Sequence, residues 1–264
     1  MLGAIIGDIV GSRFEFGPAP EKGFKLFTPE CSYTDDTICT IAIADAIMNH
    51  KSYKEALLEW CRRYPEPMGS YGHRFYRWIN SDDPQPMNSY GNGAAMRVSP
   101  VGWLFNDYDE VKHQAQLSAE VSHNHPEGIK GAQCVATLIY WLRTVRVTKD
   151  KVERSVLRGF GYQIPPMADI LRISANGYFD GTCQETVPMA IRCFLDADNF
   201  EDVIRKAVLC DGDTDTKAAI AGSIAEAYYP IPEDILVETM GYLPEDMLAV
   251  LSQYYDHMKD AYEL

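Results

Sequence analysis

The chain is short of positive charge. Its 264 residues include 24 Lys and Arg against 38 Asp and Glu, a formal net charge of −14. A balance that acidic argues against a nucleic-acid binder, which needs basic patches to meet phosphate, and is compatible with divalent cations. Long apolar runs are also missing. No stretch approaches the ~18 residues that a membrane-crossing helix requires, so no membrane partner is expected. The seven cysteines are odd in number and none pairs in a C-x-x-C spacing. That argues against a disulfide framework or a zinc knuckle, and reads as reduced thiols, mostly filling the core of a cytoplasmic protein. The first ten residues lack a basic segment, and Asp8 breaks their apolar run, so they do not read as a signal peptide. Internal repeats, low-complexity tracts and Gly/Ser tethers are absent, and no segment alternates cleanly with a period of two before a hairpin turn.

What is present is helical. With 46% apolar and 23% charged residues the composition is that of an ordinary globular protein. A chain of this length buries roughly three-quarters of its unfolded surface without help from metals or disulfides. Helical spacing of apolar residues is read over 38–49, 53–63, 108–121, 129–145, 186–195, 200–209, 216–229 and 245–262. The segments around Gly128–Ala136 and Ala218–Ala227 are rich in small residues, which suits helices deep in a core. Pro18-Ala19-Pro20, Asp82–Pro86 and Gln163–Pro166 read as rigid loops rather than domain linkers. The expectation is one all-α domain over residues 1–264, with about ten helices and its function on the loops between them.

Two acidic segments each open a helix. Thr34-Asp35-Asp36-Thr37 precedes an apolar run, which by itself is the signature of a helix N-cap. Asp211-Gly212-Asp213-Thr214-Asp215-Thr216 does the same with three carboxylates and two hydroxyls in six residues, more than one cap can use. Like charges so close repel unless a cation lies among them. Carboxylates, hydroxyls and loop carbonyls are hard donors that suit Mg²⁺, Mn²⁺ or Ca²⁺ rather than Zn²⁺. If both segments face one cavity, Thr34, Asp35, Asp36, Asp213, Asp215 and Thr216 could hold one or two ions. Two ions would bring four positive charges against five carboxylates, Asp211 included.

Three further segments offer ligand contacts. Asn88-Ser89-Tyr90-Gly91-Asn92-Gly93 leads through Met96 to Arg97; its glycines and amides suit an anion, or simply hinge a capped helix. Ser122-His123-Asn124-His125-Pro126 holds two histidines two residues apart, weak as a zinc motif and compatible with capping or with a contact to a ribose hydroxyl or phosphate. Glu15 follows the Gly-punctuated segment Gly7–Phe14. It is either a surface acid or an acid/base on a loop.

Taken together these blocks resemble the ADP-ribosylglycohydrolase family, the relatives of dinitrogenase-reductase-activating glycohydrolase. Five blocks stand in the family's order: Gly7-Asp8 to Glu15, Thr34 to Thr37, Tyr90 to Arg97, His123 with His125-Pro126, and Gly212 to Thr216 with Ala221-Gly222. The resemblance implies an all-α orthogonal bundle with a binuclear Mg²⁺ or Mn²⁺ centre, held by Thr34, Asp35, Asp36, Asp213, Asp215 and Thr216. It implies Glu15 as the loop glutamate, Asn88 to Gly93 as the phosphate and ribose cradle, His123 as a ligand contact, and Tyr178 as an aromatic against adenine. Asp211, where many relatives carry Gly, and the segment Phe179–Pro188 depart from the pattern. The implied reaction is metal-assisted hydrolysis at C1″ of ADP-ribose joined to a protein side chain or another acceptor, a small molecule or an ADP-ribosylated nucleic acid included, with Glu15 or Asp36 as acid/base and no partner subunit required. A metal-dependent nucleotide phosphohydrolase and a non-catalytic ADP-ribose binder are the alternatives.

Overall fold

The structure is a computed structural model and describes residues 1–17, 20–175 and 179–262. Tyr178 and two residues of the Pro18–Pro20 loop therefore lie outside the described residues. Fifteen α-helices are found among the described residues. They are α1 (Leu2–Gly11), α2 (Asp35–Met48), α3 (Tyr53–Arg63), α4 (His73–Ile79), α5 (Gly93–Met96), α6 (Ser99–Leu104), α7 (Tyr108–Glu120), α8 (Pro126–Tyr140), α9 (Lys149–Phe160), α10 (Met167–Ser174), α11 (Cys183–Leu195), α12 (Phe200–Leu209), α13 (Thr214–Glu226), α14 (Glu233–Met240) and α15 (Glu245–Tyr262). Among those residues there is no strand, only a single antiparallel bridge between Gly91 and Thr182. The all-α expectation holds.

The helices exceed the expected number for a physical reason. Several are short, and α1 is hidden from a periodicity reading. Every residue of α1 is buried, so it has no polar face to set against an apolar one. Its three glycines also lower its helix propensity. Those glycines are what place it. Built on Gly3, Gly7 and Gly11, a Cβ would lie 2.1 Å from Gly222 O, 2.0 Å from Ala218 O and 2.6 Å from the Asp215 Cα. Helices α1 and α13 thus run antiparallel at backbone contact, a distance that only glycine permits. Thr214 Oγ1 closes the end of the pair by donating to Gly11 O at 2.9 Å.

Helix α13 is buried from Thr214 to Ala225, as its small residues led one to expect, and α2 is nearly so. They form the centre of one continuous apolar cluster to which the surrounding helices contribute. All seven cysteines are buried and free. Helix α8 ends earlier than its apolar pattern: after Tyr140 the chain passes into a π-helical turn, Trp141–Val145, closed by Arg146 at φ 53°. No helix among the described residues is long and apolar enough to cross a membrane.

Candidate active site

The α1–α13 contact brings together residues that are some two hundred positions apart. Beyond Gly11 the chain tightens into a 3₁₀ turn, Ser12–Phe14, which carries Glu15 to the N-terminal end of α13. One turn earlier on α1, Asp8 reaches the N-terminal end of α2. Its carboxylate accepts from Thr34 N (2.9 Å), Thr34 Oγ1 (2.7 Å), Thr37 N (3.0 Å) and Thr37 Oγ1. Thr34 in turn caps α2 by accepting from Asp36 N at 3.2 Å. The first turns of α2 and α13 therefore point their positive dipole ends at the same place.

There, six carboxylates gather. Oxygens of Asp8, Asp36 and Asp215 lie within 4.8 Å of one another, and so do those of Glu15, Asp213 and Asp215. Asp215 belongs to both groups, so the two lie side by side. Asp35, in the first turn of α2, lines the same cavity with Glu15, Asp36, Asp213, Asp215 and Thr216. None of these carboxylates makes an ion pair among the described residues. Burial, reinforced by the neighbouring negative charges, holds Asp35, Asp36 and Asp215 well above the usual carboxylate range. Burial and then the charge of Asp213 push Glu15 up to about 8. Burial pushes Asp8 up to about 6 despite its four hydrogen bonds.

This donor set suits a hard divalent cation. Asp36 Oδ2 accepts from Thr216 Oγ1 at 3.2 Å, but its Oδ1 is buried with no hydrogen-bond partner. An orphaned carboxylate oxygen in a low-dielectric site calls for a cation or a proton. Only oxygen donors are present, as Mg²⁺ and Mn²⁺ prefer. Not all of the expected donors are placed alike. Thr34 is fully buried behind the cavity wall, with its hydroxyl engaged by Asp8 and Asp36. Asp211, counted in the acidic balance, stands away from the cavity: it occupies a left-handed turn at φ 54°, and its carbonyl accepts from Lys217 Nζ at 2.5 Å. Asp8 and Glu15 take its place in the cluster.

The cavity holds about 470 Å³. Opposite the acids it is walled by Ser89, Gly91, Asn92, Gly93, Arg97 and His123. The 89–93 segment is fixed by its bridge to the chain before α11, where Asn92 N donates to Gly181 O (2.8 Å) and Cys183 N to Tyr90 O (3.0 Å). Asn92 Nδ2 donates to Asp213 Oδ2 at 2.7 Å, joining this wall to the acidic one. Of the expected Asn88–Gly93 run, Ser89, Gly91, Asn92 and Gly93 line the cavity. Asn88 and Tyr90 face outward, and Tyr90 packs edge-on to His125 at 5.2 Å. His125 caps α8 by accepting from Glu127 N, so the two histidines have separate tasks. His123 is buried on the wall, and burial together with the charges of Arg97 and Arg74 holds its pKa well below the ordinary value.

No motif in the sequence marks the remaining lining. Residues 69–75, running into α4, contribute Arg74 and Phe75. At the mouth, Phe16 and Phe179 stack with centroids 6.3 Å apart at 16°, although both are largely exposed. This pair joins two segments far apart in the chain and belongs to no sequence motif.

Fold and site together define a class: an all-α protein whose helix ends concentrate uncompensated carboxylates at one wall of a ligand-sized cavity. The ADP-ribosylglycohydrolase family model matches residues 1–263, and the chain belongs to that family. Human ADP-ribosylhydrolase ARH3 is 26% identical over 94% of this chain and 90% of its own. The ADP-ribosyl-[dinitrogen reductase] glycohydrolase of Rhodospirillum rubrum is 22% identical, over 88% of this chain and 85% of its own. Among solved structures, an ADP-ribosylglycohydrolase-related protein complex superposes with a TM-score of 0.70 at 24% identity, covering 97% of this chain and 95% of that one.

Proposed function

We propose that this protein is a hydrolase that releases ADP-ribose by cleaving the glycosidic bond at C1″ to an acceptor on a protein side chain or a small molecule, with two Mg²⁺ or Mn²⁺ ions as cofactors. The observation that carries the reading is the uncompensated, partly orphaned carboxylate cluster on one wall of the cavity whose other wall is the glycine-rich loop and His123. The family and the names of the relatives support the reaction class.

Asp35, Asp36, Asp213, Asp215 and Thr216 would hold the ions, with Thr34 and Asp8 supporting them by fixing the end of α2. Bound ions would supply a template and Lewis acid for the distal ribose hydroxyls. The remaining work falls to the chain. Ser89, Gly91, Asn92 and Gly93 would orient the ribose and diphosphate, with Arg74 supplying positive charge at the rim. Bond cleavage would pass through an oxocarbenium-like state, and water would add at C1″. Glu15, whose carboxylate gathers with those of Asp213 and Asp215 at the cavity wall, would move the proton, with Asp36 as the other candidate.

The test is release of free ADP-ribose from arginine-linked and serine-linked ADP-ribosylated substrates, with Mg²⁺ or Mn²⁺ and with EDTA. Release from one linkage that EDTA abolishes is the expected result. Phosphate as product would identify a nucleotide phosphohydrolase instead. ADP-ribose binding without turnover of either substrate would identify a binding module.

A further inference from the structure

His123 lines the cavity through one edge of its ring and is tied to the protein through the other. The Nε2 edge faces the glycine-rich loop: a Cβ on Gly93 would sit 3.0 Å from Nε2. Nδ1 lies 2.8 Å from Ser122 Oγ. Ser122 is fully buried, and its oxygen accepts from Arg97 Nη2 at 2.8 Å. The same Nη2 donates to Ser118 O at 2.9 Å, and Phe75 lies 5.6 Å from the guanidinium. A guanidinium only donates. The Ser122 proton must therefore go elsewhere, and among the described residues the acceptor within reach is His123 Nδ1. An imidazole that accepts at Nδ1 carries its proton at Nε2.

We propose that Arg97 and Ser122 are positioning residues that hold His123 as the neutral Nε2–H tautomer, so that this wall presents an uncharged hydrogen-bond donor to the cavity. A doubly protonated ring would set an N–H against the Ser122 proton. Its burial and the cations Arg97 and Arg74 oppose that form as well. Gly93 belongs to the same device, because any side chain there would cover Nε2. The acceptor for this donor, an oxygen of the ribose or diphosphate of ADP-ribose, rests on the function proposed above; the tautomer does not.

The tautomer is read directly from imidazole ¹⁵N shifts of the full chain labelled on histidine, with His123 assigned by the signals lost in His123→Gln. The expected pattern is a protonated Nε2 and an unprotonated Nδ1, unchanged between about pH 6 and pH 8. A proton on Nδ1, or an imidazolium at neutral pH, would overturn the proposal. Ser122→Ala should give mixed tautomers and weaken ADP-ribose binding by calorimetry about tenfold, a loss of about 1.4 kcal/mol, leaving Mg²⁺ binding as it was. Ser122→Thr, which keeps the hydroxyl, should restore the tautomer. An Ala variant with wild-type shifts and wild-type affinity would remove Ser122 from the role. Wild-type protein with the expected tautomer and no affinity for ADP-ribose would leave the relay standing and sink the functional reading instead.

Discussion

The two walls of the cavity are assembled from different material. The acidic wall is made of helix ends, the last turn of α1 and the first turns of α2 and α13, locked where Gly3, Gly7 and Gly11 meet the backbone of α13. The opposite wall is made of loops and the helix starts they run into, residues 69–75, 89–93 and 122–123, tied to the rest by hydrogen bonds such as Asn92 to Asp213. Carboxylates that repel one another in a buried site move apart unless rigid elements hold them. Backbone contact between two helices supplies that rigidity. A wall that reads a ligand has no such opposing force to resist, and loops on a fixed frame suffice. The comparison implies large, nearly all-or-none effects at the acidic wall and graded ones at the other.

The largest effect should follow from Asp36→Ala. On the proposed function, turnover should fall at least about a thousandfold, because Asp36 would supply an ion-holding oxygen at a site where the ions would contribute several kcal/mol. Stability should move the other way. In EDTA the variant should melt higher than the wild type by about 2–4 °C, the shift for roughly 1 kcal/mol of relieved repulsion in a chain of this size. Calorimetry with and without Mg²⁺ reads both. An active Asp36→Ala protein would end the assignment of this wall to metal ions.

Glu15→Ala separates chemistry from ion holding within the same wall. Turnover should fall about a hundredfold or more, as for loss of a general acid/base. Mg²⁺ binding should persist, since Asp36, Asp213 and Asp215 remain. Unchanged turnover would transfer the proton-moving role to Asp36.

The metal-free protein should also show the strain of its acidic wall in its pH dependence. Asp8 and Glu15 are raised to about 6 and about 8, chiefly by burial. Their unfolded values lie near ~4, so between these limits the folded state holds protons that the unfolded chain has released. Stability in EDTA should therefore fall as pH rises from about 4 to about 8, the reverse of a salt-bridged carboxylate. Saturating Mg²⁺ should remove most of that slope. A melting temperature that climbs through this window in EDTA would show that the acids are already neutralised by something else.

The difference between the walls also governs what could be read from the sequence. The acidic wall was legible because its donors come in contiguous blocks at helix starts, where capping chemistry and excess charge mark them: Asp35 and Asp36, then Asp213, Asp215 and Thr216. What those blocks could not reveal was which acids face inward. Asp211 is turned away by a left-handed backbone, and Asp8, one residue in a buried helix without a polar face, enters the cluster through an α1–α13 contact visible only in three dimensions. The loop wall was legible in part. The glycines of Gly91-Asn92-Gly93 and the histidine pair stood out, but the division of labour between His123 and His125 follows from a helix cap at His125. Arg74, Phe75, Phe16 and Phe179 belong to no motif, since loops that meet in space share no period in sequence.

The smallest effect should come from Arg74→Ala, and its size tests the comparison from the other side. Arg74 is exposed at the rim, and its guanidinium donates to Met87 O. A solvent-facing charge of this kind contributes about 0.2–1 kcal/mol, so the KM for an ADP-ribosylated substrate should rise no more than about fivefold at low salt with kcat unchanged. Screening should shrink the difference near ~0.5 M salt. The Asp36→Ala defect should not respond to salt, because buried charges are screened far less. An unchanged KM at low salt would take Arg74 out of ligand binding. A salt-insensitive loss as deep as that of Asp36→Ala would mean that the loop wall, too, works through a buried and rigid charge.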